Sequence, residues 1–160
     1  MVILHRPVPQ LSRSALEHFL RRARREVRLK GTVNVLVTNS TRLRAMNRQF
    51  LEKNKPTDVL SFPAFDAGAR GARPFAGDVA ISIDIARENA KRLGHPLAAE
   101  IKILALHGVL HLAGYDHERD NGEMTRKEIQ LRQHLRLPTG LLERTETQPG
   151  RAAARRRGAA

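Results

Sequence analysis

Leu97-Ala-Ala-Glu-Ile-Lys-Ile-Leu-Ala-Leu-His-Gly-Val-Leu-His-Leu-Ala113 decides the architecture of this chain. The stretch is apolar nearly all round, where a surface helix would show one apolar stripe and one polar face. Such a helix has to be covered on every side, so the remaining sequence must supply layers around it. With 160 residues the chain is the size of one domain. A hydrophobic content of 41% is enough for a single packed core.

Working outward from this central helix, strand and helix patterns interleave. Val2-Ile-Leu4 reads as a first strand, and Pro7 and Pro9 separate it from a helix starting near Leu11 or Ser12. Leu16, Phe19, Leu20, Ala23 and Val27 fall at helical spacing, with Arg21, Arg22, Arg24, Arg25 and Arg28 around them; Gly31 is the expected end of this helix. Thr32–Thr38 alternates and is β-branched, so it reads as a strand. Asn39, Ser40 and Thr41 offer caps for a helix carrying Leu43, Met46 and Phe50. Strands are expected over Val59–Phe62 and Gly77–Ile83, with a flexible connection over residues 66–77 between them. Asp84 is the expected cap of a helix running to Leu93, where Gly94 stands at the terminating position, and Glu123–Leu135 gives a last amphipathic helix. The fold class is therefore α+β with α/β-type layers. One domain over residues 1–138 holds about four strands in a mixed sheet and about five helices. Residues 139–160, Arg-rich and without period, are expected to be a disordered tail.

The chemistry concentrates at the end of the central helix. His107 and His111 are four residues apart, so both rings project from one helical face. Gly114 can end the helix in a left-handed turn, letting His117 return as a third ligand from outside it. Three imidazoles leave one tetrahedral position open to water, the arrangement of a catalytic zinc site. A single histidine on an apolar helix is usually a satisfied core residue, and His5, His18, His95 and His134 show no comparable pattern. Burying two unpartnered neutral imidazoles would cost roughly 1–3 kcal/mol each, which a shared cation avoids. The chain has no cysteine, so a thiolate site, a disulfide framework and a Cys nucleophile are all excluded.

The string matches the metallopeptidase template H-E-x-x-H-x-x-G-x-x-H except at one fixed position, where Gly108 replaces the Glu that serves as general base. Glycine inside a helix costs ~1 kcal/mol relative to alanine, so close backbone approach or room for substrate should require it there. A metal-dependent hydrolase other than a peptidase is indicated.

His107-Gly-Val-Leu-His-Leu-Ala-Gly-Tyr-Asp-His117 resembles the signature of the YbeY family, bacterial endoribonucleases and rRNA maturation factors. Asn54-Lys-Pro-Thr-Asp-Val-Leu-Ser-Phe-Pro63 and Gly77-Asp-Val-Ala-Ile-Ser82 resemble two further family blocks, in the same order and spacing, and the likeness spans roughly residues 30–135. The resemblance implies a zinc-dependent endoribonuclease of the single-strand type, with one Zn²⁺ per chain on His107, His111 and His117. It further implies action in 3′-end maturation of the small-subunit rRNA and in ribosome quality control, with the small subunit and ribosome-assembly proteins as partners. It also draws attention to Asp58 and Asp78, for which a cap or strand-start role is the other reading; Thr57 and Ser61 receive no role. One departure stands out: Leu51 occupies the place of an Arg common in the family. Asp116, beside His117, is a candidate to orient a ligand imidazole or move protons, and equally a turn residue after Gly114.

Twenty-nine Lys and Arg against 16 Asp and Glu give a net charge of +13, of which residues 1–138 carry +10 from 24 basic and 14 acidic residues. A surplus of this size favours a polyanion. Arg21, Arg25, Arg48, Lys53 and Lys55 are the candidates for backbone contacts to rRNA. At 4%, aromatic residues are too scarce for a stacking platform, and no apolar run approaches a membrane span. With no signal-peptide pattern at Met1, the expected location is the cytoplasm and no membrane partner is expected. Two alternatives stay open at this level: an assembly factor with a structural metal and little or no cleavage, and a diverged metallopeptidase, disfavoured by Gly108.

Overall fold

Alternation and β-branching dictate a strand at Thr32–Thr38, and it forms the inner scaffold of a four-stranded sheet in the computed structural model, which describes residues 1–51, 57–64, 74–116 and 119–138. The strands are β1 (Val2–Leu4), β2 (Thr32–Thr38), β3 (Val59–Pro63) and β4 (Phe75–Ser82), in the order β1-β2-β4-β3. β1 and β4 lie parallel to β2, whereas β3 is an antiparallel edge strand with Ser61 opposite Val79 and Phe62 opposite Asp78. The helices are α1 (Arg13–Glu26), α2 (Ser40–Leu51), α3 (Ile83–Leu93), α4 (Leu97–Leu112) and α5 (Glu123–His134). This is the expected mixed sheet with five helices. β4 starts at Phe75, inside the expected flexible connection, of which residues 66–73 lie outside the described residues, as does the tail.

The helix α4 packs on β3 and β4 and is enclosed by α1, α3 and α5. Ile101, Ile103, Leu104, Leu106, Val109 and Leu110 are all fully buried in the principal core. Each contributes roughly 1.5–3 kcal/mol of burial, which outweighs the ~1 kcal/mol that Gly108 costs the helix. On the other sheet face, α2 seals a smaller cluster of Leu43, Leu60 and Ala80. It leaves a groove of about 560 Å³ lined by Ile3, Leu36, Met46, Phe50 and Phe62. No helix among the described residues is long and apolar enough to cross a membrane.

Several caps follow the sequence. Ser12 Oγ accepts from Ala15 N at 3.1 Å, Asn39 Oδ1 accepts from Arg42 N at 2.7 Å, and Gly94 ends α3 at φ +72°. Two expectations are corrected. α1 stops at Glu26, five residues before Gly31: Leu29 N–H donates to Arg24 C=O at 3.0 Å and Arg28 N–H to Arg25 C=O at 3.1 Å, with Arg28 at φ +56°. The same double bond closes α5, where Arg136 takes φ +59°. In both turns the following leucine, Leu29 or Leu137, packs on the core, and this apolar anchor overrides the preference for glycine. Gly31 is needed instead where the chain enters β2, because a Cβ there would stand 2.8 Å from Ala76 N.

The second correction concerns Asp84. Ser82 caps α3, accepting from Ile85 N at 3.2 Å. The Asp84 carboxylate reaches 44 residues back, accepting from Ser40 N at 2.8 Å at the start of α2. That backbone bond holds its carboxyl below the usual value of 3.8, with lesser help from Arg87 and Arg6 against the opposing effect of burial. A depressed carboxyl stabilises the fold above its unfolded value and loses that contribution as pH falls through the folded one. Asp84→Ala should therefore cost about 1 kcal/mol in urea unfolding at pH 7, the magnitude of a lost helix cap. The difference from wild type should narrow below about pH 3.8; a gap that stays constant down to pH 2 would contradict the assignment.

Candidate active site

His107 and His111 sit in the last two turns of α4, one buried and one half-buried. Their spacing brings the rings edge to face with centroids 4.6 Å apart, and the two Nε2 atoms lie 3.0 Å from each other. The helix ends just beyond them in the glycine turn expected from the sequence. Gly114 takes φ +99°, its N–H donates to His111 C=O at 3.0 Å, and Tyr115 N–H donates to Leu110 C=O at 3.1 Å.

Gly108 has a definite steric purpose. A Cβ at this position would stand 2.7 and 2.8 Å from the two γ-carbons of Val79 and 3.3 Å from Ser61 Oγ. The residue after His107 thus faces the sheet, where α4 lies against β3 and β4, and Ser61 Oγ donates to the Gly108 carbonyl at 3.5 Å. Of the two reasons anticipated for this glycine, close backbone approach is the one realised. A glutamate here would have to enter the packed sheet interface, so the peptidase base has no room.

The side chain that orients an imidazole comes from α5. His107 Nδ1 lies 2.9 Å from Glu128 Oε1, and Arg132 Nη2 donates to Glu128 Oε2 at 3.1 Å. His107, Glu128 and Arg132 are 3%, 2% and 1% exposed, so this chain of contacts is shielded from water. Neither Glu128 nor Arg132 was singled out from the sequence. The signal was present: Met124 and Leu131 form a buried stripe on α5 that Leu135 continues at its C-cap, and Glu128 interrupts it at the same helical spacing.

Two nitrogens bound to one zinc at tetrahedral angles and ~2.0–2.1 Å would be separated by about 3.3 Å. The 3.0 Å between the Nε2 atoms, together with a carboxylate on the opposite ring nitrogen of His107, fits such an ion. Among the described residues no group of three His, Cys, Asp or Glu converges; His117 lies outside them, as do Lys53 and Lys55. The side chain of Leu51 is likewise outside the described part.

The other residues of interest separate. Asp116 has its carboxylate 3.5 Å from Arg119 Nε, and its backbone carbonyl accepts from Arg119 and Asp120 in the turn. Asp58 is fully buried and accepts from Asn89 Nδ2 at 3.2 Å, whereas exposed Asp78 lines the groove on the opposite sheet face. Arg21 and Arg25 are exposed one turn apart on α1 and flank a shallow cleft with Arg24, Arg28 and Lys30. His134 Nε2 binds Glu26 at 3.1 Å, which ties this end of α1 to α5, the helix that carries Glu128. Arg48 is exposed in the last turn of α2. His95 bonds Glu100 at 2.8 Å and His5 bonds Thr38 at 3.0 Å, so both act locally in the fold.

Fold and site together define a small α+β protein whose central helix presents two convergent imidazoles, one of them steadied by a buried carboxylate. Comparison with known proteins assigns that class. The sequence profile of the family described as endoribonuclease YbeY matches residues 5–136. The Endoribonuclease YbeY of Koribacter versatilis is 53% identical over 98% of this chain and 99% of its own length. That of Solibacter usitatus is 44% identical over 91% and 95%. The solution structure of TM1509 from Thermotoga maritima superposes with a TM-score of 0.52 at 26% identity, covering 94% of this chain and 99% of the other. The chain belongs to the YbeY family of endoribonucleases.

The packing at Gly108 yields a direct test. Gly108→Ala should destabilise the protein by about 1–3 kcal/mol, the usual cost of overpacking, despite alanine's better helix propensity. Val79→Ala in the same background should recover part of the loss. A Gly108→Ala protein at least as stable as wild type in urea would show that the interface has slack.

Proposed function

We propose that this chain is a zinc-dependent endoribonuclease that cleaves unpaired segments of rRNA during 3′-end maturation of the small ribosomal subunit, in the cytoplasm, and serves ribosome quality control. The observation that carries the reading is the pair of Nε2 atoms 3.0 Å apart, one ring of which is held from behind by a buried carboxylate. His107 and His111 would hold the ion together with His117. Bound there, zinc lowers the pKa of water to about 7 and polarises a phosphoryl oxygen.

The protein's own residues prepare that site. His107 and His111 present their Nε2 atoms from one rigid helical face, and Glu128 keeps the ring proton of His107 on Nδ1. Close packing at Gly108 keeps the peptidase base out and fixes α4 against the sheet. Asp116, at the turn leading to His117, orients a ligand imidazole or helps move protons. Arg21, Arg25, Arg48, Lys53 and Lys55 attract the phosphate backbone, with arginine able to fork onto phosphate oxygens.

Two measurements test the proposal. Purified wild-type protein should carry about one zinc per chain by metal analysis and cleave an rRNA 3′-end fragment. His111→Ala should lose the metal and, with it, on the order of 100-fold or more of cleavage. Equal cleavage by both proteins would trace the activity to a contaminating nuclease and leave an assembly factor. Separately, replacing Arg21, Arg25 and Arg28 with Glu should reduce the salt dependence of RNA binding by roughly 2 in the log–log slope, at ~0.7 for each phosphate no longer neutralised. Unchanged affinity and slope would remove α1 from the RNA interface.

A further inference from the structure

The Glu128–Arg132 pair does more than join α5 to α4. A carboxylate can only accept hydrogen bonds, so Glu128 Oε1 at 2.9 Å from His107 Nδ1 requires the proton to reside on Nδ1. The lone pair of the ring is then on Nε2, the atom that faces His111 Nε2 at 3.0 Å. Arg132 in turn occupies the other carboxylate oxygen, Oε2, at 3.1 Å, and its Nη1 donates to Pro138 C=O at 3.3 Å. All three residues are at least 97% buried. Removal of either charge would take from the other a buried ionic partner.

We infer that Glu128 and Arg132 form a positioning pair that locks His107 in its Nδ1–H tautomer, so that Nε2 stands ready for a metal ion; the inference rests on the zinc reading above. An amide could not substitute. In Glu128→Gln the one amide oxygen is claimed by Arg132, a cation that can only donate. The amide NH₂ then faces His107 and donates to Nδ1, which drives the ring proton to Nε2 and blocks the metal-facing lone pair. Charge and geometry act jointly: the carboxylate serves two donors at once, and an amide in the same space serves only one of them. Neither residue has to touch substrate.

The tautomer can be read without metal or RNA. Long-range ¹H–¹⁵N spectra of metal-free wild-type protein should show His107 protonated at Nδ1, and Glu128→Gln should show it protonated at Nε2. Zinc affinity, measured by chelator competition, should fall about 10- to 100-fold in Glu128→Gln. The melting temperature of the metal-free variant, measured in parallel, separates this effect from general loosening of the fold. The double variant Glu128→Gln/Arg132→Met frees the amide oxygen to accept from Nδ1–H. It should restore the wild-type tautomer and most of the zinc affinity. A Glu128→Gln protein that keeps the Nδ1–H tautomer and wild-type zinc affinity overturns the inference, as does a double variant that recovers neither. A wild-type protein with the Nδ1–H tautomer but no zinc binding overturns the metal reading alone and leaves the positioning pair without its metal purpose.

Discussion

The close approach of α4 to the sheet at Gly108 is the contact on which the rest of the structure depends. Val79 occupies the space that any Cβ at position 108 would need, and Ser61 Oγ reaches the Gly108 carbonyl from the neighbouring strand. With the helix this near the sheet, its remaining faces are available to α1, α3 and α5, which is why nearly every residue from Glu100 to Leu110 is buried. Helical geometry does the rest. Once position 108 points at β4, His107 and His111 share an adjacent face, and His107 meets Glu128 on α5.

Burial on all sides creates a polar problem at both ends of α4, and each is answered by a network. Near the N-terminal end, Asn89 Nδ2 donates to Asp58 at 3.2 Å and Glu100 at 3.3 Å, while His95 binds the other Glu100 oxygen at 2.8 Å. This set ties the start of β3 to α3 and α4. Near the C-terminal end, the network of His107, Glu128 and Arg132 ties α4 to α5. Both combine ionisable groups in water-poor surroundings, where leaving one member without its partner is costly. Only the second leaves a ring nitrogen directed at another imidazole, and that difference separates a structural network from a site.

Much of this was legible in the sequence. The β-branched alternation of Thr32–Thr38 matches β2 residue for residue, and the all-round apolarity of residues 97–113 announced the central helix. The His107–His111 spacing and the glycine turn at Gly114 were equally plain. Less legible were features decided by tertiary contact. Arg28 and Arg136 adopt left-handed conformations that local preference assigns to glycine, because Leu29 and Leu137 anchor the turns in the core. Asp84 looks like a cap for its own helix, yet its bond to Ser40 spans 44 residues that only the folded sheet brings together. Glu128 and Arg132 read as an i,i+4 pair of the sort that decorates exposed helices. Their burial becomes visible only when the charge is seen to fall inside the apolar stripe of Met124, Leu131 and Leu135.

The same pair bears on why a nuclease rather than a peptidase is built on these imidazoles. An RNA phosphodiester is already an anion, so a carboxylate near the reacting centre repels it. At an effective dielectric near 20, one uncompensated charge at roughly 7 Å would oppose a phosphate by about 2 kcal/mol. A peptide carbonyl imposes no such penalty, and the peptidase template can keep a glutamate beside its metal. Here the template position is glycine, and the carboxylate that contacts His107 among the described residues, Glu128, stands behind the ring with its charge answered by Arg132 at 3.1 Å. The imidazole gains an orienting acceptor whose negative charge is paired with the positive charge of Arg132. In a chain whose surplus is +13, that compensation preserves at the centre the attraction for polyanions that the surface provides.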